Sequence, residues 1–348
     1  MKKVLCFAAA AMAIFASCQK TEVVYNNDGP QEIGIFAVNK VATKAPVDGA
    51  TFLDGDNMSV AAYLVSGDGV TQGNFFDKTV FTKGSGNTWT GGRYWPISTA
   101  TISFLAVTEK GGGVDNAETV FTTANEAEVT LSGNAVYNQN DLMYAAAQVK
   151  REQGNEYPEV GMVFKHALSW IDFKVKTNLT SGQATVKVNS ITLNNVVTDG
   201  VLTVTNSKYA LEAAPELTAV WDITGISKVN RMVPKEDKSE NPAEVMTLNT
   251  TPQRYGNGIL VVPGGSSTGF TINYTLKQKD DTEQTFNYTH TFTPAPTWQM
   301  AHKYTYQISI NLSEIEVAPS VEAWDDIDEK GNEDPADDVS WGEDITLE

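Results

Sequence analysis

From His302 to Leu312 the chain alternates strictly. Tyr304, Tyr306, Ile308, Ile310 and Leu312 are interleaved with Thr305, Gln307, Ser309 and Asn311. A period of two sends successive side chains to opposite faces, so this spacing predicts a strand with one apolar and one polar face. At about 3.4 Å per residue such a strand reaches roughly 30 Å, enough to cross a β-sandwich. After Ile315 and Val317 come Pro319, Trp324 and a strongly acidic segment, expected to leave the domain and pair elsewhere.

The same alternation recurs upstream. Ile33, Ile35 and Ala37 alternate with Gly34, Phe36 and Val38, which predicts a first strand. Further strand-like runs are Met58–Val65, Thr101–Thr108, Glu128–Leu131, Val160–Phe164 and Ala167–Lys176, then Ala184–Leu193, Val201–Thr205, Gly258–Val262, Gly269–Leu276 and Thr285–Phe292. Clusters of Gly, Asn, Asp and Ser separate them, among them Gly111-Gly112-Gly113. Asp199-Gly200 between two apolar runs reads as a type I′ hairpin turn. Leu142–Val149 suits a short helix or a strand, and Trp298–His302 one short helical turn. Many short strands at regular spacing predict an all-β fold built from sandwiches.

The N-terminus carries a different pattern. Met1-Lys2-Lys3 is basic, Val4–Phe15 is an apolar run too short to span a membrane, and Ala16-Ser17 precede Cys18. Small residues ahead of a cysteine at this point resemble a bacterial lipobox. Residues 1–17 are therefore expected to be a lipoprotein signal peptide. Cys18 is expected to carry the lipid, because only a thiol can form the thioether. Acyl chains at about 0.8 kcal/mol per buried methylene would hold the protein on a membrane. Residues 18–30 read as a tether.

Composition narrows the picture. The 348 residues suggest two domains, and 41% hydrophobic content is ample for packed cores. We place the expected boundary near Asn178, giving 31–178 and 179–348. The net charge is −18, and residues 322–348 hold twelve Asp or Glu against one Lys. Such a surface repels nucleic acid. The two cysteines, Cys6 and Cys18, both fall in the first twenty residues, so no disulfide framework supports the folded part.

Candidate chemistry is sparse. Gly265-Ser266-Ser267-Thr268-Gly269 has the nucleophile-elbow spacing, but a strand rather than a helix is expected to follow it. His166, His290 and His302 lack partners at metal-ligand spacing, and a structural role is expected for each. Asp326-Ile327-Asp328-Glu329-Lys330-Gly331 approaches a calcium loop, with Lys330 where an Asp or Asn should stand. Asp54-Gly55-Asp56-Asn57 reads as a turn. Trp89, Tyr94, Trp95, Trp221 and Trp298 could line a sugar site, although Trp is more often buried. We expect no enzyme activity, no cofactor and no metal.

Several motifs occur in order: the lipobox, Tyr94-Trp95-Pro96, Asp141-Leu142-Met143-Tyr144-Ala145, Phe164-Lys165-His166-Ala167-Leu168, His302-Lys303-Tyr304-Thr305-Tyr306 and Val321-Glu322-Ala323-Trp324. Together they resemble the fimbrillin family of type V pili, from about Ile33 to the C-terminus. The resemblance implies two tandem transthyretin-like β-sandwich domains and an outer-membrane lipoprotein. It also implies a structural subunit, stalk or tip, of a cell-surface fimbrium assembled with other pilus subunits by donor-strand exchange and contributing to adhesion. A protease would remove the strand Ile33–Asn39 by cutting at Lys44–Ala45 or at Lys40–Val41. Donor contacts would come from Val339, Trp341, Ile345 and Leu347. Well-studied relatives are cut after Arg, and the first Arg here is Arg93. Uncut relatives act as lipid-held anchors at the pilus base, which is the alternative. A glycan-binding surface lipoprotein, taking a host glycan or protein ligand, is the alternative of another class.

Overall fold

The computed structural model describes residues 30–37, 52, 54–65, 71–85, 88–110, 117–123, 125–132, 141–152, 156–180, 182–206, 216–235, 243–312 and 314–323. In chain order its strands are β1 (Ile35–Ala37), β2 (Asn57–Val65), β3 (Thr71–Lys83), β4 (Thr88–Thr90), β5 (Ala100–Lys110), β6 (Ala117–Thr123), β7 (Glu126–Leu131) and β8 (Asp141–Arg151). Then come β9 (Val160–Met162), β10 (Lys165–His166), β11 (Ser169–Lys176), β12 (Ala184–Val196), β13 (Gly200–Asn206), β14 (Leu217–Asp222) and β15 (Val229–Met232). The last are β16 (Met246–Thr247), β17 (Gln253–Arg254), β18 (Ile259–Val261), β19 (Gly269–Gln278), β20 (Glu283–Thr291), β21 (His302–Ile310) and β22 (Ile315–Ala323). No helix occurs among the described residues, so the fold is all-β.

The N-terminal sheet runs β10-β8-β5-β2-β3-β4-β1-β9. Its two edge strands, β9 and β10, are consecutive in the chain, so the sheet curls round on itself. Its concave side holds a core of Ile33, Ile35, Val60, Trp89, Phe104 and Met162 with their neighbours. Burial of apolar area on this scale is the dominant favourable term in folding.

The C-terminal part is a sandwich. One sheet runs β17-β11-β21-β22, with β18 also on β11; the other runs β15-β12-β19-β20, with β16 on β12. Phe173 and Tyr306 of the first sheet meet Phe270 of the second at centroid distances of 5.4 and 5.9 Å. Edge-on and tilted contacts of this kind add to simple area burial. Strand β11 ends just before Asn178 yet belongs wholly to this sandwich, running parallel to β21.

A four-stranded sheet, β14-β13-β7-β6, draws two strands from each half of the chain. It covers a third core, where Leu105, Val107 and Tyr144 of the N-terminal sheet meet Trp170, Leu260 and Val262 of the C-terminal sandwich. Strands β5, β8 and β11 are thus buried on both faces.

Four expectations need correcting. Strand β21 ends at Ile310, leaving Leu312 57% exposed, and its polar face is also covered: Thr305, Gln307 and Ser309 are buried. Ile315–Ala323 does not leave the domain but folds back as β22 against β21, with Pro319 tolerated because β22 is an edge. Asp199-Gly200 makes no hairpin, since β12 and β13 lie in different sheets. A side chain at Gly200 would be tight, because a Cβ would stand 3.1 Å from the Asp222 carbonyl and 3.2 Å from the Trp221 ring, so those neighbours would have to give by a few tenths of an ångström. Trp298–His302 is a tight turn, with Ala301 at φ 56°, not a helical turn. The open choice at Leu142–Val149 resolves as strand β8.

Candidate functional site: the groove around β1

Strand β1 is short, but both its edges are used. It runs antiparallel to β4, with Ile35 opposite Trp89, and parallel to β9, with Ile35 opposite Val160 and Ala37 opposite Met162. Just upstream, the Ile33 N–H donates to the Arg93 carbonyl at 2.7 Å and the Trp95 N–H to the Gln31 carbonyl at 2.9 Å. The Glu32 carboxylate accepts the Gly92 N–H at 2.8 Å.

The alternation Ile33, Ile35 sets the burial. Both side chains are fully enclosed, while Glu32, Gly34 and Phe36 are half-exposed. Beneath them Trp89 meets Phe52 edge-on at 5.0 Å. Strand β9 has β1 as its only ladder partner among the described strands. Taking β1 away would leave two open strand edges over a slot floored by Trp89, Val160 and Met162. What this arrangement can do is accept one extended segment, by backbone pairing on two sides and apolar side chains at every second position.

The residues singled out from sequence distribute as follows. Cys18, Lys40, Lys44, Ala45, Val339, Trp341, Ile345 and Leu347 lie outside the described residues, as do Gly111–Gly113, Trp324 and the stretch Asp326–Gly331. Asp54-Gly55 is a turn, tied by an ion pair from Asp54 to the buried Lys83 at 2.7 Å. A strand, β19, does follow Gly269, and the Ser267 hydroxyl donates to the Asn194 carbonyl at 2.6 Å. That places Ser267 in a loop-bracing role. The five aromatics do not converge. Trp89 and Trp95 sit in the N-terminal core, Trp298 in the C-terminal core and Trp221 against the third, leaving Tyr94 half-exposed by itself.

The histidines differ in their surroundings. His166 is buried against Asp141, Nδ1 to Oδ2 at 2.8 Å. His302 Nδ1 lies 2.7 Å from the Met300 carbonyl. His290 stacks on Phe270 at 5.0 Å and meets Phe292 edge-on at 5.5 Å, and burial lowers its pKa below the ordinary value of 6.5. Because the folded-state value is depressed, folding favours the neutral ring. The contribution is therefore full above about pH 6.5 and is lost as pH falls toward the folded value. Thermal melts at pH 7.5 and pH 5 should show a larger acid loss in the natural protein than in His290→Phe. Equal losses would rule the ring out. Among the described residues no group of three or more His, Cys, Asp and Glu is arranged to hold a metal ion.

Sequence reasoning missed a buried charge. Asp172, 1% exposed, accepts Arg254 Nε at 3.0 Å and has Lys303 Nζ at 3.6 Å. Both cations also lie over the Trp170 ring, at 5.0 and 4.4 Å. Arg254 and Lys303 stand 82 and 131 positions from Asp172 in sequence and reach it because β17 and β21 flank β11, so no local motif announces them.

The family model described as fimbrillin-like matches residues 43–324. A fimbrial protein from Bacteroides vulgatus matches with a TM-score of 0.51 at 19% identity, over 84% of this chain and 99% of its own. A candidate cell adhesion protein from Bacteroides uniformis matches with a TM-score of 0.48 at 20% identity, over 86% of this chain and 100% of its own. The fimbrial anchor protein Mfa2 from Porphyromonas gingivalis matches with a TM-score of 0.32 at 9% identity, over 85% of this chain and 98% of its own. No curated protein matches the chain.

Proposed function

The chain belongs to the fimbrillin-like family, and from that premise we propose that it is a structural subunit of a cell-surface fimbrium, assembled by donor-strand exchange at β1. The observation that carries the reading is the setting of β1: a three-residue strand near the N-terminal end, paired on both edges, with Ile33 and Ile35 fully enclosed. Until it is removed, β1 keeps the slot filled and blocks polymerisation through it. Cutting at Lys44–Ala45 would free residues 31–44, or at Lys40–Val41 residues 31–40, and open the slot to a strand from the next subunit.

The donor we assign is Val339–Leu347. Trp341, Ile345 and Leu347 have little reason to stay in water, and fully burying side chains of this size is worth about 1.5–3 kcal/mol each. Each backbone hydrogen bond adds roughly 1 kcal/mol. A lipid on Cys18 would deliver the precursor to the outer membrane. The domains would be the curled N-terminal sheet and the C-terminal sandwich, joined through the shared four-stranded sheet.

Arg93 favours the anchor as a second reading. It is the first arginine, and its carbonyl holds Ile33 inside the domain, so it is no processing site. An uncut chain would stay on its lipid at the fimbrium base. Size-exclusion chromatography and electron microscopy of protein cleaved after Lys44, full-length protein, and cleaved protein lacking 339–348 separate these cases. Polymers are expected only from the cleaved, untruncated form. Fibres from the truncated form would refute this donor. A cleaved form that makes no fibres under any condition would favour the anchor.

A further inference from the structure

Strand β20 forms the open edge of the β15-β12-β19-β20 sheet, and among the described strands it pairs only with β19. Two other edges are guarded or short. Strand β22 carries Pro319, Glu316 and Glu322, and β15 is four residues long. Strand β20 has nine residues, Glu283–Thr291, with no proline and no lysine, and nearly all of them are exposed. A long unguarded edge is a template for another strand.

The ladder shows which backbone groups are free. The Gln278 N–H donates to the Thr282 carbonyl at 2.9 Å, and at the far end the Phe292 N–H donates to the Thr268 carbonyl at 3.1 Å. Register between these points is unbroken. Hydrogen-bonded pairs recur every second residue. Gln284, Phe286, Tyr288 and His290 therefore direct their backbone groups at β19. Glu283, Thr285, Asn287, Thr289 and Thr291 direct theirs outward.

The solvent face is a ladder of matched rungs. Asn189 Nδ2 donates to Asn273 Oδ1 at 2.7 Å, and Asn273 Nδ2 to Asn287 Oδ1 at 2.8 Å. On either side Thr271 meets Thr289 at 3.1 Å and Thr275 meets Thr285 at 3.0 Å. Asn287 sits at the midpoint of β20.

We propose that β20 pairs antiparallel with β20 of a second copy of this chain, about a two-fold axis through Asn287. This register places Asn287 opposite Asn287 of the second copy and Thr285 opposite its Thr289. It satisfies every outward backbone group from Glu283 to Thr291. The side-chain rungs then run on across the axis without changing type. On the other face Phe286, 37% exposed and stacked on Tyr274 at 5.4 Å, lies opposite the second copy's Tyr288. Aromatic cross-strand pairs are favourable. The one charge on the strand, Glu283, falls opposite Thr291 rather than another carboxylate, which matters in a chain of net charge −18. A contact one strand deep stays below the roughly 1,200 Å² of standard interfaces, so the dimer forms with rising concentration.

The natural chain is therefore expected to shift from one to two copies in sedimentation equilibrium as concentration rises. Asn287→Pro removes an outward N–H while leaving the β19 ladder whole, and should weaken the dimer at least tenfold. Should that variant misfold, Thr285→Lys/Thr289→Lys sets like charges face to face on the solvent side and should do the same. Asn287→Cys should crosslink on oxidation, whereas Asn273→Cys, one strand inward, should not. A natural chain monomeric at its highest soluble concentration, a dimer indifferent to these changes, or equal crosslinking at positions 273 and 287 would overturn the proposal.

Discussion

Ile35→Asp is expected to release β1 from its slot and to cost about 3–6 kcal/mol in urea unfolding. Ile35 has no exposed surface and lies between Trp89 and Val160. Losing the buried side chain accounts for roughly 2–3 kcal/mol. A carboxyl group in its place has no hydrogen-bonding partner in the slot, which adds about 1–3 kcal/mol on protein-derived scales even when it stays protonated. That total approaches the lower bound of whole-domain stability, roughly 5 kcal/mol. Local opening offers a less costly outcome, because β1 is three residues long and sits near the N-terminal end of the described fold. Backbone hydrogen exchange should accelerate in 33–37, 88–90 and 160–162, with β12 and β19 unaffected. Phe36→Asp, on the half-exposed face, should change stability by less than about 1 kcal/mol. Unchanged exchange around β4 and β9 in Ile35→Asp would show that β1 does not plug the slot.

Much of the strand inventory was legible because half-buried strands declare themselves by alternation. Strands β12, β13 and β19 were recoverable this way, each with one face toward a core, and β21 alternates in sequence although its polar face is covered too. Strand β3 was not. Its register against β2 shifts between Val60 and Ala62, between Ala62 and Tyr63, and between Leu64 and Val65. Such irregularities break the period of two on which recognition depends. Strand β4, three residues long, is too short to show any period, whereas β9, equally short, was announced only as part of the run Val160–Phe164. Strand β22 was not named as a strand in the sequence; its Pro319 is tolerated because β22 is an edge.

The slot was half legible. The alternation of Ile33 and Ile35 announced β1, but nothing local links it to Val160, its parallel partner far along the chain. The third core was less visible still. Ile102, Phe104 and Ala106 face one core while Leu105 and Val107 face another. A strand buried on both faces reads as a continuous apolar run and conceals which neighbours it has. Asp199-Gly200 misled for a related reason: a turn dipeptide specifies local geometry, not which sheet the next strand joins.

Trp170→Ala is expected to lower stability by about 3–5 kcal/mol, as for other buried Trp truncations, and to uncouple the two halves of the molecule. Trp170 is 3% exposed and belongs to the core that the N-terminal sheet and the C-terminal sandwich share. Space for its indole depends on Gly258, at φ +71°, where any Cβ would collide with the ring nitrogen. Lys303 and Arg254 cover its face, and both are also anchored on Asp172. Losing the ring removes the surface on which those cations rest and opens a cavity beside a buried carboxylate. Cation–π contacts contribute about 0.5–1 kcal/mol at exposed sites and more when desolvated. The larger effect is therefore the lost packing. Trp170→Phe, which keeps an aromatic face, should cost about half as much. Calorimetry should resolve one transition for the natural chain and two for Trp170→Ala, because the cores around Ile35 and Phe173 would then melt without the contact that joins them. A single transition at an unchanged midpoint would show that the shared four-stranded sheet, rather than Trp170, couples the halves.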